Sequence, residues 1–221
     1  MKLVIFNGSP RLKKSNSTLL TESFLNGYNN GQANAVPVLY LGKINNSDEH
    51  LKAFEEAEIV LFIFPLYTDS MPGIVMHFFE KLIRESSRSP RKIGFIVQSG
   101  FPEAVQTDFI KPYLEKFTKR LNCIYLGTVT KGGVEGIQMM PPLFTKKLFR
   151  RFTQLGQHFA AHEVFDEKLV KKLAGNYRMS SISRMFFRFF KMLGFTNFYW
   201  NHHLKKNNAL HRCFDRPLGK N

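Results

Sequence analysis

The chain has 221 residues, of which 43% are hydrophobic and 23 are phenylalanine, and its formal net charge is +15. This composition excludes a largely disordered protein, since disordered chains contain few aromatic residues. No run approaches the roughly 20 apolar residues of a membrane-spanning helix, and the first residues lack a signal-peptide pattern, so we expect a cytoplasmic protein.

Short apolar runs, mostly of β-branched or aromatic residues, alternate with longer segments of helical spacing. The five runs are 2–6, 36–40, 59–64, 92–97 and 123–129. The third and fourth runs show almost no polar alternation, which is typical of parallel strands that helices cover on both faces. The pattern predicts an α/β fold with a doubly wound, five-stranded parallel sheet.

The segments between and after these runs have the apolar spacing of helices. Helices are predicted over 18–28, 48–58, from Pro72 to about 82, over 103–121 and from about 143 to 162. Residues 1–162 are therefore predicted to form one domain. Residues 163–221 do not continue the strand–helix alternation, and we expect a basic, aromatic-rich helical extension packed on that domain or on a partner.

The loop after the first run reads FNGSPRLKKSNST (6–18) and combines a glycine with hydroxyl, amide and basic side chains. A strand-to-helix turn presents free backbone N–H groups and the positive end of a helix dipole, which favour a phosphate. The candidate phosphate contacts are Ser9, Arg11, Ser15, Asn16, Ser17 and Thr18. The alternative is that Ser15 or Ser17 only caps the helix and the lysines are solvated. The loop lacks GxxxxGK[ST] and GxGxxG, so a mononucleotide is a better candidate ligand than a nucleoside triphosphate or a dinucleotide.

Two further loops follow the third and fourth runs, and ligands of open parallel sheets bind at such strand ends, near the point where strand order reverses. The candidate ring contacts in these loops are Pro65, Leu66, Tyr67, Thr68, Asp69, Ser99, Gly100 and Phe101. Tyr67 can line a flat heterocycle, or it can cover the sheet edge. Asp69 can bond a ring edge, or it can be a turn residue.

Together the three loops resemble the flavodoxin-like superfamily, in its branch of NAD(P)H-dependent FMN and quinone reductases. In that branch the first strand is followed by GSPR and a Ser/Asn/Thr cluster that opens a helix, and the third strand by Pro-x-Tyr, then Pro and a helix. The corresponding residues here are 8–11, 15–18 and 65–67 with Pro72. The resemblance covers residues 1 to about 130. It implies FMN, with its phosphate in the first loop and its ring against the second and third loops.

The resemblance also implies an oxidoreductase in which hydride passes from NAD(P)H through the flavin to a small acceptor such as a quinone, a nitro or azo compound, or flavin. The flavin would carry the chemistry, so no catalytic side chain is assigned. The alternative is a flavodoxin-type electron carrier or flavin-binding protein without its own NAD(P)H oxidation. Such carriers are usually acidic, unlike this chain. A homodimer is expected.

No metal or cluster is expected from the cysteines and histidines. Cys123 and Cys213 form no CxxC pair, and the closely spaced cysteines of the related iron–sulfur flavoproteins are missing. The adjacent His202 and His203 do not share one helix face, and His77 is expected to be structural.

Most of the positive charge lies in the last part of the chain. Residues 141–221 hold 16 Lys and Arg against 4 Asp and Glu. Residues 180–195 predict an amphipathic helix with Ile182, Met185, Phe186, Phe189, Phe190 and Leu193 on one side and Arg184, Arg188 and Lys191 on the other. That helix would either lie on an anionic membrane surface, giving a peripheral location, or pack on this protein or a second subunit. No nucleic-acid-binding motif is present, so nucleic acid is not expected as a partner.

Overall fold

The structure is a computed structural model that describes residues 2–29, 36–87, 89–192 and 197–215. The chain divides into two compact units, Met1–Arg178 and Met179–Asn221. The division falls later than the boundary at 162 that the sequence predicts. The reason is that Phe165 and Leu173, which follow that boundary, are buried in the core of the first unit.

The first unit is built on a sheet of five parallel strands, which confirms the predicted fold class. The strands are β1 (Leu3–Asn7), β2 (Val38–Tyr40), β3 (Ile59–Pro65), β4 (Lys92–Gln98) and β5 (Ile124–Lys131). Their order in the sheet is β2-β1-β3-β4-β5. The order therefore reverses between β1 and β3, so the carboxyl ends of these two strands flank the expected ligand-binding crevice.

Six helices are described in the first unit. They are α1 (Asn16–Tyr28), α2 (Ser47–Glu56), α3 (Gly73–Glu85), α4 (Ile110–Arg120), α5 (Pro142–His162) and α6 (Glu167–Ala174). The helix predicted over 103–121 is split, since a short 3-10 turn, Ala104–Thr107, precedes α4. Pro112 lies in the first turn of α4, where its missing N–H removes no helical hydrogen bond.

The sheet is covered on both faces, as the unbroken apolar runs predict. One core cluster contains Phe62, Phe79 and Phe117, and the rings of Phe79 and Phe117 stack with centroids 3.9 Å apart. The other cluster contains Phe24 of α1 and Phe159 of α5. All strand residues of β1 and β3 are buried. The two strands that flank the crevice are thus held rigidly by the core.

Helices α1 and α5 cross at two glycines that face each other's backbone. A Cβ on Gly27 would lie 1.8 Å from the carbonyl oxygen of Thr153, and a Cβ on Gly156 would lie 1.9 Å from that of Phe24. Only hydrogen fits at these distances. The close crossing fixes the position of α1, whose first turn borders the crevice.

The second unit contains α7 (Ser181–Met192) and α8 (Phe198–Lys206), followed by the 3-10 turn Leu210–Arg212. Residues 193–195 of the predicted amphipathic helix, and the side chains of Phe190 and Lys191, lie outside the described residues. Within the described parts of both units, no helix has the length and apolar character required to cross a membrane.

Candidate functional site

The loop between β1 and α1 is held by its own hydroxyl groups. The Ser15 hydroxyl accepts a hydrogen bond from the backbone N–H of Thr18 at 3.2 Å and so caps α1. The Thr18 hydroxyl donates to the backbone carbonyl of Leu12 at 3.1 Å and lies 3.0 Å from the Ser15 hydroxyl. The structure therefore uses Ser15 and Thr18 to shape the loop, and both side chains are buried.

Asn7 organises the same loop from the end of β1, and the sequence analysis missed it. Its side-chain oxygen accepts a hydrogen bond from the N–H of Ser9 at 3.0 Å, and its amide donates to the Thr18 hydroxyl at 3.2 Å. The side chain is fully buried. A polar residue that ends an otherwise apolar strand was the signal that could have identified it.

The first turn of α1 contains the two remaining candidates of the cluster. The Asn16 amide donates to the backbone carbonyl of Val134 at 2.8 Å and so connects this turn to the loop after β5. The Ser17 hydroxyl is buried, and it has no hydrogen-bond partner among the described residues. Backbone N–H groups of a first helical turn lack intrahelical partners, so this end of α1 can bind an anion.

The three predicted loops meet in one partly open pocket with a cavity volume of about 50 Å³, here called the loop pocket. Its lining residues are Ser9, Arg11, Asn16, Pro65, Leu66, Tyr67, Gln98, Ser99, Gly100 and Glu135. Eight of these are candidates from the sequence. The lining does not include Ser15, Ser17, Thr18, Thr68, Asp69 or Phe101.

Gln98 and Glu135 are lining residues that the sequence analysis did not identify. Gln98 ends β4, so its signal was again a polar residue at a strand end. Glu135 lies in the glycine-rich loop after β5, which the topology brings next to the loop after β4. One Glu135 carboxylate oxygen is 3.6 Å from a guanidinium nitrogen of Arg11. The pocket therefore contains one cation and one anion that partly neutralise each other.

The second loop makes a tight turn between β3 and α3. The N–H of Tyr67 donates to the carbonyl of Ser70 at 2.8 Å, and the N–H of Ser70 donates back at 3.1 Å. Thr68 and Asp69 at the tip have φ angles of 48° and 63°, as a type I′ turn requires at both central residues. Thr68 and Asp69 thus form the turn, while Tyr67 remains 45% exposed and lines the loop pocket.

The third loop is fixed against the loop after β5. The N–H of Ser99 donates to the carbonyl of Lys131 at 2.9 Å, and the N–H of Val134 donates to the carbonyl of Ser99 at 3.0 Å. A Cβ on Gly100 would lie 3.3 Å from that of Glu135, so glycine allows the close approach of these loops. Phe101 is 58% exposed.

A separate, mostly apolar cavity of about 150 Å³ lies beside α3 and is lined by two histidines. His77 lines it together with His50, Ile74 and Phe78. His50 packs edge-on against Phe6 and Phe78, and its burial lowers the pKa of the imidazole. None of the site residues predicted from the sequence lines this cavity. Its histidines are best explained as parts of the packing.

The lining of the loop pocket combines two kinds of group. Ser9, Asn16, Arg11 and the amino end of α1 offer donors and positive charge, which suit a phosphate. Leu66 and Tyr67 offer apolar and aromatic surface, which suits a flat ring. In the described ranges, no group of three or more His, Cys, Asp or Glu side chains is arranged to hold a metal ion.

Solved structures with the same fold include a quinone oxidoreductase, a stress protein in complex with FMN and an azoreductase. One is the NAD(P)H:quinone oxidoreductase from Methanothermobacter marburgensis, with a TM-score of 0.56, 14% identity, and coverage of 73% of this chain and 98% of that chain. A second is general stress protein 14 from Treponema denticola in complex with FMN, with a TM-score of 0.55, 15% identity, and coverage of 73% and 98%. A third is an azoreductase from Bacillus anthracis str. Sterne, with a TM-score of 0.54, 18% identity, and coverage of 72% and 100%.

At these identities the similarity shows a shared fold. Among curated protein sequences, none matches this chain. Residues 1–148 match the model of the Flavodoxin_2 family, which is described as a flavodoxin-like fold. That match covers the whole sheet and the three loops of the pocket. The strand order β2-β1-β3-β4-β5 is also the order of flavodoxin-like sheets. The chain belongs to the Flavodoxin_2 family of flavodoxin-like proteins.

Proposed function

We propose that this protein is an FMN-dependent oxidoreductase that passes hydride from NAD(P)H, through the flavin, to a small acceptor such as a quinone, a nitro or azo compound, or flavin. The observation that carries the proposal is the loop pocket, where three loops from the carboxyl ends of β1, β3 and β4 meet beside the reversal of strand order. The quinone reductase, the azoreductase and the FMN complex among the structures with this fold support it.

The first loop would hold the FMN phosphate. The free N–H groups in the first turn of α1, the Ser9 hydroxyl and the Asn16 amide are the proposed donors, and Arg11 is the proposed cation. Ser15, Thr18 and the buried Asn7 would act indirectly, by holding that turn in a binding conformation. The buried Ser17 hydroxyl lies in the same turn.

The second and third loops would hold the flavin ring. Pro65, Leu66 and Tyr67 would contact its surface, while Ser99 and Gly100 would border its edge. Thr68 and Asp69 would keep Tyr67 in place through the tight turn. When bound, FMN supplies the hydride and electron transfer, and the chain supplies orientation and shields the ring from water.

Anaerobic mixing of the FMN-loaded protein with NADH or NADPH tests the proposed activity. An NAD(P)H-dependent enzyme loses its flavin absorbance directly on mixing, and a quinone or azo dye restores it. The alternative, a flavodoxin-type carrier, loses that absorbance only when a partner reductase is added. Flavin reduction that always requires such a reductase would contradict the proposed NAD(P)H oxidation. It would not contradict the proposed flavin site.

A homodimer is part of the same proposal, and sedimentation equilibrium tests it. The first unit exposes Leu143 and Phe144 at the start of α5, with 81% and 71% of their surfaces accessible. Both follow the loop that contributes Glu135 to the pocket. A monomer at all micromolar concentrations would exclude the dimer.

A further inference from the structure

Helix α7 exposes a continuous apolar stripe. Ile182, Met185, Phe186, Phe189 and Met192 follow the three- and four-residue spacing of one helix face. Each of these side chains is more than half exposed, from 52% for Phe189 to 77% for Met192. Aromatic and aliphatic side chains at this spacing are normally buried, whereas Ile182, Met185, Phe186 and Met192 each keep more than half of their surface exposed.

The polar side of α7 is cationic, and so is the surrounding sequence. Arg184 and Arg188 are exposed and lie opposite the apolar stripe. Residues 169–214 contain nine Lys and Arg and not one Asp or Glu. A stretch without acidic residues cannot neutralise its own charge, and α7 lies within this stretch of the sequence.

We propose that α7 is an in-plane anchor that binds the surface of an anionic lipid bilayer. Its apolar stripe would enter the boundary between headgroups and acyl chains, and Arg184 and Arg188 would lie at the level of the anionic headgroups. Both features of the helix are satisfied by this one partner, because a bilayer offers apolar depth and negative charge together. With 12 residues, the described α7 is about 18 Å long, shorter than the roughly 30 Å hydrocarbon core of a bilayer, so the proposed anchor would lie in the plane of the membrane.

Charge complementarity selects the bilayer over two other occupants. A second copy of the chain could cover the stripe, but it would bring two cationic segments together, and like charges oppose association. Nucleic acid would attract the cations but would leave the phenylalanines and methionines in water. The anchor is argued from described residues of α7, and none of these is among the residues that line the loop pocket.

Co-sedimentation of the full-length protein with lipid vesicles tests the anchor. Vesicles of phosphatidylcholine with about 30% phosphatidylserine are compared with vesicles of phosphatidylcholine alone. We expect at least tenfold stronger partitioning into the anionic vesicles, falling steeply as salt is raised from about 0.1 M to about 0.5 M.

Two double substitutions separate the apolar and the cationic parts. Phe186→Gln with Phe189→Gln keeps the charge and should weaken binding to anionic vesicles by about tenfold or more. Arg184→Gln with Arg188→Gln should weaken it by about fivefold for each cation removed. The matched control, Phe109→Gln with Tyr113→Gln, removes two exposed aromatic side chains from the first unit and should bind like the wild type. Circular dichroism verifies that every variant is folded.

Three results would overturn the proposal. The first is no partitioning of the wild type, or equal partitioning into both kinds of vesicle. The second is a loss of binding in the control that equals the loss in the Phe186 and Phe189 variant. The third is concentration-dependent self-association, or retention on polyanionic nucleic acid, that disappears with the Phe186 and Phe189 substitutions while vesicle binding remains unaffected.

Discussion

Replacing Gly156 by alanine should destabilise the first unit, because the added methyl group meets backbone. The new Cβ would lie 1.9 Å from the carbonyl oxygen of Phe24 and 2.9 Å from the backbone nitrogen of Tyr28. Real Cβ contacts are not shorter than 3.0 Å, so α1 and α5 must separate by about an ångström. That movement opens gaps around Phe24, Phe152 and Phe159, which are fully buried.

The expected loss follows from two opposing effects. Overpacking against backbone costs about 3 kcal/mol or more, while alanine in place of glycine in a helix stabilises by about 1 kcal/mol. The net loss of about 2 kcal/mol corresponds to a fall of about 4–8 °C in the melting temperature of a chain of this size. Because α1 also carries Asn16 of the loop pocket, FMN affinity should fall in parallel.

Thermal unfolding followed by circular dichroism measures this change. Gly73→Ala is the matched control, since nothing lies within 4 Å of a Cβ at that position. We expect Gly73→Ala to stay within about 0.5 kcal/mol of the wild type. A Gly156→Ala variant that melts together with Gly73→Ala would refute the close crossing of α1 and α5.

Three further substitutions test the charges. Arg11→Gln should raise the FMN dissociation constant about tenfold, because it removes a charge-assisted contact to the phosphate. The control is Arg120→Gln, which replaces an exposed arginine of α4 and should leave the constant unchanged. Equal dissociation constants for the two variants would exclude Arg11 from the site. Glu135→Gln should lower that constant about threefold, since it removes a carboxylate from the same pocket, and a rise would contradict this. Hydrogen bonds from Lys92 and Lys2 lower the pKa of the Glu163 carboxyl from 4.5 to about 2. Ionised Glu163 therefore contributes its full stabilisation of the fold above pH 4.5, and this contribution is lost as the pH falls towards 2. The melting temperatures of Glu163→Gln and wild type should therefore differ most near pH 6 and converge on acidification; a gap that widens at low pH would contradict this sign.

The sheet was predictable because its signal is local. The runs at 59–64 and 92–97 are apolar throughout, and β3 and β4 occupy them to within one residue. The division between the two units was not predictable in the same way. The sequence around Phe165 and Leu173 does not indicate whether they belong to the core of the first unit or to an extension. Only the tertiary packing buries them.

The candidate site was predictable where residues are adjacent in sequence. Ser9, Arg11, Asn16 and the 65–67 segment follow strand ends directly, and the structure brings them together. Glu135 and the Asn16–Val134 contact join positions far apart along the chain, so they require the sheet order to be known. Within the Ser15–Thr18 cluster, Ser15 and Thr18 shape the loop while Asn16 lines the pocket. These roles depend on which way each side chain points, and composition contains no such information.

Titration of the purified protein with FMN is the direct test of whether the loop pocket is a flavin site. We expect a yellow protein that binds one FMN per chain, with affinity lowered at least tenfold by Asn16→Asp, which places a negative charge at the amino end of α1. A colourless protein that takes up no FMN, or one whose affinity is unaffected by Asn16→Asp, would contradict the assignment of the loop pocket as a flavin site.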